Sequence, residues 1–267
     1  MNIRIIQWNI SMKCKGKKIA DCLSRYIHGP TIITLQEVSK STYAQIASVL
    51  TPPGIAYSLD LRKAGNHEGR NRKMGVATFV FDGRISHYEL VSRSIFPERT
   101  LFSTSQFEGK NISLLNFHSL TGVDYKKAKS SNFASLADFI DEHSSCLDFF
   151  TCDANEPQVD ALEDDKIEFW DNRDKGHNAG LLLGKNKVHS LCDAYKVHIN
   201  NNNPGIRTNP LAFSHKTGGN LRRYDFIYCS SDWKVHHVEY PYEESVNASS
   251  DHSMVIGEFS LDPNTKL

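Results

Sequence analysis

The amino-acid sequence predicts an α+β fold, with mixed or antiparallel β-sheets packed face to face and helices on the outside. Seven short apolar runs bounded by turn-forming residues are typical of buried strands, whereas only three segments show the spacing of an amphipathic helix. So few helices disfavour a regularly alternating parallel sheet. Because the 267 residues contain no internal repeat and no long linker, we expect a single domain spanning residues 1–267.

Taken in order, the predicted strands are runs rich in Ile, Val, Leu and Phe that stop at polar or turn-forming residues. They cover residues 3–8, 31–35, 74–81, 112–117, 147–152, 224–229 and 253–259. Apolar residues recur at intervals of three and four within 19–27, 43–50 and 133–140, which predicts a helix in each. Segments 200–204 and 218–220 are rich in Asn or Gly and are expected to be surface loops.

The composition is that of a globular protein with a sizeable core, with 39% hydrophobic and 23% charged residues. This balance excludes a disordered or fibrous chain, and no apolar run approaches the roughly 18–20 residues that cross a bilayer. The N-terminal residues enter a strand-like segment and show no secretory signal. Six cysteines without CxxC spacing argue against a zinc site and for free thiols, so we expect a cytoplasmic protein.

Charge is distributed unevenly although the formal net charge is zero. Residues 1–130 contain 19 Lys and Arg against 9 Asp and Glu, and the remaining residues contain 12 against 22. The basic residues cluster in or beside predicted loops, at Lys13, Lys15, Lys17 and Lys18, at Arg70, Arg72 and Lys73, and at Lys126, Lys127 and Lys129. Such clusters are either solvated surface or contacts to a polyanion. The acidic segment 163–165 would repel nucleic acid, so a binding face is expected elsewhere.

Polar side chains that can bind metal or transfer protons lie at the ends of the predicted strands. They are Asn9, Glu37, His118, Asp153 and Asn155, which follow apolar runs, and Asp225, Asp251 and His252, which lie at or just before the start of the last two. Singly, each has an ordinary explanation, such as a turn, a helix cap or an ion pair with Arg222 or Arg223. Only the joint pattern indicates a site at one rim.

Two pairings within this set suit phosphoester chemistry. Glu37 and Asp251 supply the oxygen ligands preferred by a hard divalent ion such as Mg²⁺, which keeps several waters for a substrate phosphate. His252 with Asp225 is the combination that orients an imidazole as a general base. Positioned donors and a cation facing the charge that develops on phosphorus would assist hydrolysis.

At these positions the sequence resembles the endonuclease/exonuclease/phosphatase superfamily, which has the deoxyribonuclease-I-like fold. The resemblance spans nearly the whole chain and rests on short motifs in the family's order. These are Gln7-Trp8-Asn9, Leu35-Gln36-Glu37-Val38, Pro97-Glu98-Arg99, Asn116-Phe117-His118, Cys152-Asp153-Ala154-Asn155, Arg223-Tyr224-Asp225-Phe226-Ile227 and Ser250-Asp251-His252. The resemblance implies a four-layer α/β/β/α sandwich of two mixed β-sheets flanked by helices, with the site at one rim and Mg²⁺ or Mn²⁺ as cofactor.

The resemblance also implies a role for each matching residue. Three are implied to bind the metal: Glu37 as the principal ligand, with Asn9 and Asp251. Five are implied to form the catalytic group: His252 held by Asp225, Asp153 aligning or deprotonating the attacking water, and Asn155 with His118 binding phosphate. Family members differ over which of Asp153 and His252 is the base and over one metal or two, so both alternatives stay open.

The substrate is less defined than the chemistry. His118 replaces the Tyr typical of apurinic-site endonucleases, which disfavours that branch, and is shared with deoxyribonucleases, deadenylase-like nucleases, tyrosyl-DNA phosphodiesterases and sphingomyelinases. We expect a monomeric nuclease for DNA or RNA, with Arg99, Arg70, Arg72 and Lys73 contacting substrate. The alternatives are a phosphatase or phospholipase-type hydrolase of a small or lipid phosphoester, such as an inositol phosphate or sphingomyelin, and a non-catalytic binding module.

Overall fold

Two six-stranded mixed β-sheets form the core of the described chain. The structure is a computed structural model and describes residues 1–63, 73–202, 205 and 208–261. Sheet I consists of β1 (Asn2–Asn9), β2 (Thr31–Ser39), β3 (Gly54–Tyr57), β4 (Met74–Phe81), β13 (Trp233–Glu239) and β14 (Val255–Leu261), in the order β13-β14-β1-β2-β4-β3. Within it β1 and β2 are parallel, and the other neighbours are antiparallel.

Sheet II has the same size and a similar mixture of directions. It consists of β5 (Arg84–Glu89), β6 (Thr100–Phe107), β7 (Lys110–His118), β8 (Phe149–Asp153), β9 (Cys192–Asp193) and β12 (Asp225–Cys229), in the order β5-β6-β7-β8-β12-β9. Only β7 and β8 are parallel neighbours among the described strands of this sheet. A separate hairpin, β10 (His215–Thr217) and β11 (Asn220–Arg222), turns at Gly218 and Gly219, which both have positive φ.

Four of the helices cover the outer faces of the two sheets, and another packs against the core between them. The helices are α1 (Gly16–Leu23), α2 (Lys40–Leu50), α3 (Ser58–Leu61), α4 (Gly122–Glu142), α5 (His177–Leu183), α6 (Ala194–Asn202) and α7 (Tyr242–Asn247). Apolar residues of α1 and α2 pack on sheet I, those of α4 and α5 pack on sheet II, and those of α6 pack against the core between the sheets. None of the described helices is both long and apolar enough to cross a membrane.

Alternation along β1 shows why the central strands have apolar residues on both faces. Ile3 and Ile5 lie in the core between the two sheets, whereas Ile6 and Trp8 lie in the core beneath α1 and α2. Because both faces are buried, apolar residues do not alternate regularly with polar ones, and the buried Gln7 is a polar exception within this strand. The predicted α/β/β/α layering of two mixed sheets is confirmed.

All seven predicted strands are present, but several others have no apolar run. β5 is an exposed edge strand, β6 is rich in Ser and Thr, and β13 alternates apolar with polar residues. The predicted loop at 200–204 is wrong for its first three residues, because α6 continues to Asn202. There Asn202 Nδ2 donates a hydrogen bond to His198 O at 2.9 Å, one turn back along the helix. All six cysteines are free, as predicted.

Candidate active site

The polar residues at the strand ends converge on one edge of the sandwich. Parallel pairing of β1 with β2, and of β7 with β8, brings the carboxyl ends of each pair to the same edge. Because β12 runs antiparallel to β8, its first residue, Asp225, lies opposite Asp153 in the ladder. His118 is paired with Asp153 on the other side. Three side chains that can transfer protons therefore stand next to one another at the end of sheet II.

Glu37 reaches this edge because β2 is irregular near its end. The register with β4 shifts between Leu35 and Val38, and Glu37 has a φ of 57°. Leu35 and Val38 both lie in the core beneath α1 and α2, although residues three apart in a regular strand point to opposite faces. The bulge leaves Glu37 Oε2 to accept the Met12 N–H at 2.9 Å. Such a left-handed residue costs on the order of 1 kcal/mol and is common at functional sites.

Asp153 is the centre of the hydrogen-bond network. Its side chain is 1% exposed, and its Oδ2 accepts a hydrogen bond from Asn9 Nδ2 at 2.8 Å. The same oxygen lies 3.4 Å from His118 Nε2 and 3.9 Å from His252 Nε2. Its Oδ1 accepts the Asn155 N–H at 2.9 Å, which closes a tight turn with Asn155 at a φ of 50°.

His252 and Asp225 form a buried pair, with His252 Nδ1 2.8 Å from Asp225 Oδ2. The other carboxylate oxygen of Asp225 accepts a hydrogen bond from Gln7 Nε2 at 2.9 Å. The backbone of His252 is also held, since its N–H donates to Ser250 Oγ and its carbonyl accepts from Trp8 Nε1. Because Nδ1 is occupied by Asp225, Nε2 is the ring nitrogen that remains for chemistry.

Burial and neighbouring charges move the pKa values of these groups apart. Burial raises the pKa of Asp153 to about 7, although the charge of His252 opposes this. Burial acts to lower the pKa of His252, but the carboxylates of Asp225 and Asp153 outweigh it and raise that pKa to about 10. Burial, with the charges of Arg99 and His252, lowers the pKa of His118 well below 6.5. At neutral pH the site thus holds one protonated imidazole, one neutral imidazole and a carboxylate close to its pKa.

Of the predicted metal ligands, Glu37 lies on the more open side of the site, and Asn9 is buried next to it. The Glu37 side chain is 25% exposed, and its Oε1 is 3.4 Å from Asn9 Nδ2. Asn9 presents this nitrogen to both Glu37 and Asp153, while its Oδ1 accepts the Ser11 N–H. Ligation of a cation through the Asn9 oxygen would therefore require the amide to turn over.

Asp251, the third predicted ligand, is exposed, and its charge helps to raise the pKa of His252. In the described part of the chain, one group of ionisable side chains is close enough to share an ion: Asp153, Asp225 and His252, with ligand atoms within 4.8 Å. The imidazole and Asp225 of that group already bond to each other. The accessible carboxylates of Glu37 and Asp251 are therefore the better match to a hydrated divalent cation, and their oxygen chemistry fits Mg²⁺ or Mn²⁺.

The residues predicted to contact substrate are dispersed. Lys73 is exposed directly before β4, whereas Arg99 is 4% exposed in the 3₁₀ turn Pro97–Arg99. Arg99 is enclosed by protein and influences the site through the pKa of His118. Arg70 and Arg72 lie outside the described residues.

Two of the predicted basic clusters border the site, with one correction. Lys13 and Lys15 are exposed in the loop after β1, and Lys17 and Lys18 are exposed at the start of α1. This loop is attached to the site through the Met12 N–H, which donates to Glu37. Lys126 and Lys127 are exposed near the start of α4. The assignment of Lys129 to this basic surface is wrong, because its side chain is 1% exposed and pairs with Glu156.

Neither a protein-family model nor a curated protein sequence matches the chain. Solved structures do match over almost its full length. TDP2 from D. rerio in complex with a single-strand DNA product has a TM-score of 0.65 at 13% identity, covering 97% of this chain and 99% of that chain. The human Nocturnin catalytic domain with bound sulfate has a TM-score of 0.63 at 17% identity, covering 98% and 95%. An endonuclease/exonuclease/phosphatase family protein from Bacteroides thetaiotaomicron has a TM-score of 0.60 at 16% identity, covering 98% of both chains.

This chain has the endonuclease/exonuclease/phosphatase fold. The resemblance inferred from the sequence motifs is thereby confirmed at the level of the fold. The catalytic, metal-binding and substrate-binding roles of the individual residues remain predictions.

A hydrogen-bonded bridge of buried polar residues connects the two sheets in this endonuclease/exonuclease/phosphatase fold, and the sequence analysis assigned these residues no role. Gln7 Nε2 donates to both Asp225 Oδ1 and Gln36 Oε1, and Gln36 Nε2 donates to Asn116 Oδ1 at 2.7 Å. All are fully buried between the sheets, so the bridge joins the strand ends of sheets I and II beneath the site. The sequence signal that could have revealed this bridge is the presence of polar residues within otherwise apolar strands.

His215 is a second contact that the sequence did not assign. Its ring stacks on that of His252, with centroids 4.2 Å apart and planes 24° apart. Ser214 places it there, because the Ser214 hydroxyl accepts the Tyr224 N–H and its carbonyl accepts the Ser253 N–H. The hairpin thus covers one face of the predicted catalytic imidazole.

Proposed function

We propose that this protein is a divalent-metal-dependent phosphodiesterase that hydrolyses phosphodiester bonds of DNA or RNA. The observation that carries the proposal is the arrangement around Asp153. Its carboxylate is approached both by Asn9 and by His252, which is paired with the buried Asp225, and the partly exposed carboxylate of Glu37 lies next to them. This combination places proton-transfer groups and oxygen ligands for a cation at one edge, as phosphoester hydrolysis requires.

Under this proposal, the protonation states assign different catalytic roles to Asp153, His252 and His118. Asp153, whose pKa is raised to about 7, accepts a proton from the attacking water, because a base works best when its pKa lies near the working pH. His252 is protonated at neutral pH and presents Nε2–H to the phosphate and leaving oxygen. Neutral His118 and the amide of Asn155, 3.4 Å apart, bind the non-bridging phosphate oxygens.

The metal would be held on the open side. Glu37 would be its main ligand, with Asp251 and, after its amide turns, Asn9. When bound there, Mg²⁺ or Mn²⁺ would neutralise charge on the phosphate group. The buried side of the site orients the substrate and moves protons.

The two exposed lysine clusters favour a nucleic acid over a small phosphoester. They contain six exposed lysines: Lys13 and Lys15 in the loop after β1, Lys17 and Lys18 at the start of α1, and Lys126 and Lys127 in α4, which follows β7. Contacts between lysine and phosphate dominate affinity for nucleic acid. The bound DNA product of the D. rerio TDP2 structure, which has the same fold, supports this choice.

A hydrolysis panel tests the proposal. Purified protein and its His252→Ala variant are incubated with single- and double-stranded DNA, RNA, a 5′-tyrosyl oligonucleotide, sphingomyelin and inositol phosphates, with Mg²⁺ or Mn²⁺ or with a chelator. We expect metal-dependent cleavage of a nucleic acid that the variant lacks. Turnover of a small or lipid phosphoester alone would refute the nuclease assignment, and binding of DNA or RNA without turnover would indicate a non-catalytic module.

A further inference from the structure

A buried cation lies directly beneath the predicted phosphate-binding residue Asn155. Lys129, on α4, places its Nζ 2.7 Å from Asn155 O and 2.7 Å from Glu156 Oε1. The side chains of Lys129 and Glu156 are 1% and 0% exposed. A charged pair is rarely enclosed so fully, because removing two ions from water is costly unless their other contacts are satisfied.

The other contacts of Glu156 are satisfied, and they fix the next loop. Its Oε2 accepts the Trp170 N–H at 2.9 Å, and its Oε1 accepts a hydrogen bond from Asn172 Nδ2 at 2.9 Å. Burial lowers the pKa of Lys129, and the Glu156 carboxylate opposes this. The pair therefore connects α4, the end of β8 and the loop through Asn172 at one point.

Asn155 needs such an anchor because its φ of 50° lies in the left-handed region, which is unfavourable for residues other than Gly unless surrounding contacts stabilise it. Two other contacts hold it: within its own turn its N–H donates to Asp153 Oδ1, and its Nδ2 donates to Ser119 O, after β7, at 3.2 Å. Lys129 supplies the third, on the carbonyl oxygen, from a helix 26 residues away in sequence.

We propose that Lys129 is a positioning residue, which holds Asn155 in the orientation that pairs its amide with His118 for binding a phosphate group. The inference rests on the proposed function, in which these two side chains take the phosphate oxygens. Lys129 acts through the backbone of Asn155 and does not touch substrate.

The test separates positioning from folding. Lys129→Met alone would leave the Glu156 carboxylate buried without its cation, which destabilises the fold. Glu156→Gln alone would likewise leave the Lys129 charge unpaired. The informative comparison is therefore between the wild-type protein and the double variant Lys129→Met/Glu156→Gln, which lacks the lysine contact with Asn155 and leaves neither charge of this pair buried. Lys234→Met, at an exposed position on β13, is the control for losing one lysine. Lys129→Arg tests rescue by another cation.

Each variant is measured for its melting temperature, for its affinity for inorganic phosphate by NMR titration, and for kcat and KM on the substrate found in the panel. Relative to the wild-type protein, we expect the double variant to lose roughly 10- to 100-fold in phosphate affinity and in kcat/KM, as changes in supporting contacts commonly do. Asn155→Ala should show a similar loss, and Lys129→Arg should lose less than Lys129→Met at equal stability.

Two outcomes would overturn the proposal. One is a double variant with the phosphate affinity and kcat/KM of the wild-type protein; the other is a loss that simply follows the melting temperature across all variants, Lys129→Arg included. A wild-type protein that cleaves nothing in the panel, while its phosphate affinity still depends on Lys129, would instead refute the proposed function and retain the positioning role.

Discussion

The two sheets contribute unequal halves of the candidate site. Sheet I supplies Glu37, whose side chain is 25% exposed, whereas sheet II supplies His118, Asp153 and Asp225, which are 4%, 1% and 0% exposed. Carboxylates thus serve in two environments within one hydrogen-bond network. On the open side the Glu37 carboxylate is partly exposed to water, which suits an exchangeable cation. On the buried side desolvation controls the proton, which suits acid–base chemistry.

The largest effect that this comparison predicts comes from Asp153→Asn on the buried side. We expect kcat/KM to fall by roughly 10³-fold, because the variant cannot accept a proton from water. Thermal unfolding of the metal-free variant at pH 8 should occur at the wild-type temperature or above, since a desolvated carboxylate has been removed. A variant that retains more than a tenth of the wild-type kcat/KM would disprove the role given to Asp153.

On the open side, Glu37→Gln should weaken metal binding instead of abolishing proton transfer. We expect the Mg²⁺ concentration for half-maximal activity to rise about tenfold or more, with much of kcat recovered at saturating metal. Metal titrations of Glu37→Gln and Asp153→Asn in parallel test this difference, since excess Mg²⁺ should not restore the activity of Asp153→Asn. Equal rescue, or equal failure, would mean that the two halves are not functionally distinct.

The pH dependence of stability should come mainly from the buried half. The pKa of Asp153 is raised from 3.8 unfolded to about 7 folded, so the folded state binds more protons between these values. Its contribution to stability is therefore fully present below pH 4 and is lost as pH rises toward 7 and beyond. Urea unfolding in a chelator should show wild-type stability falling relative to Asp153→Asn across this range. A constant difference would contradict the burial-driven shift.

The smallest effect is expected from the exposed lysines that flank the two halves. Lys15→Ala/Lys17→Ala beside sheet I and Lys126→Ala/Lys127→Ala beside sheet II should each weaken nucleic-acid binding. Each lost phosphate contact should reduce the slope of log affinity against log salt concentration by about 1. Lys234→Ala is the matched control. Unchanged salt slopes for both double variants would exclude these lysine clusters as contacts to nucleic acid.

Much of the fold and of the site could be predicted from local sequence. The seven apolar runs correspond to strands because burial on both faces favours apolar residues at neighbouring positions, as at Ile5 and Ile6. β6 and β13 could not be found in this way, since β6 has Ser and Thr at buried positions and β13 alternates buried apolar residues with exposed polar ones. Seven of the eight predicted residues at the strand ends are joined by the contacts described above, and Asp251 is connected with them through its charge, which helps to raise the pKa of His252.

The sequence by itself determined which side chains reach the rim, because strand length and alternation are local properties of the chain. Only the tertiary structure decided what each one does there. It encloses Lys129 beneath Asn155, turns the Asn9 amide toward Asp153 across 144 residues of sequence, and joins Gln7 to Asp225 across 218. Desolvation and hydrogen-bond distance set the protonation of a group, and both depend on neighbours that are remote in sequence.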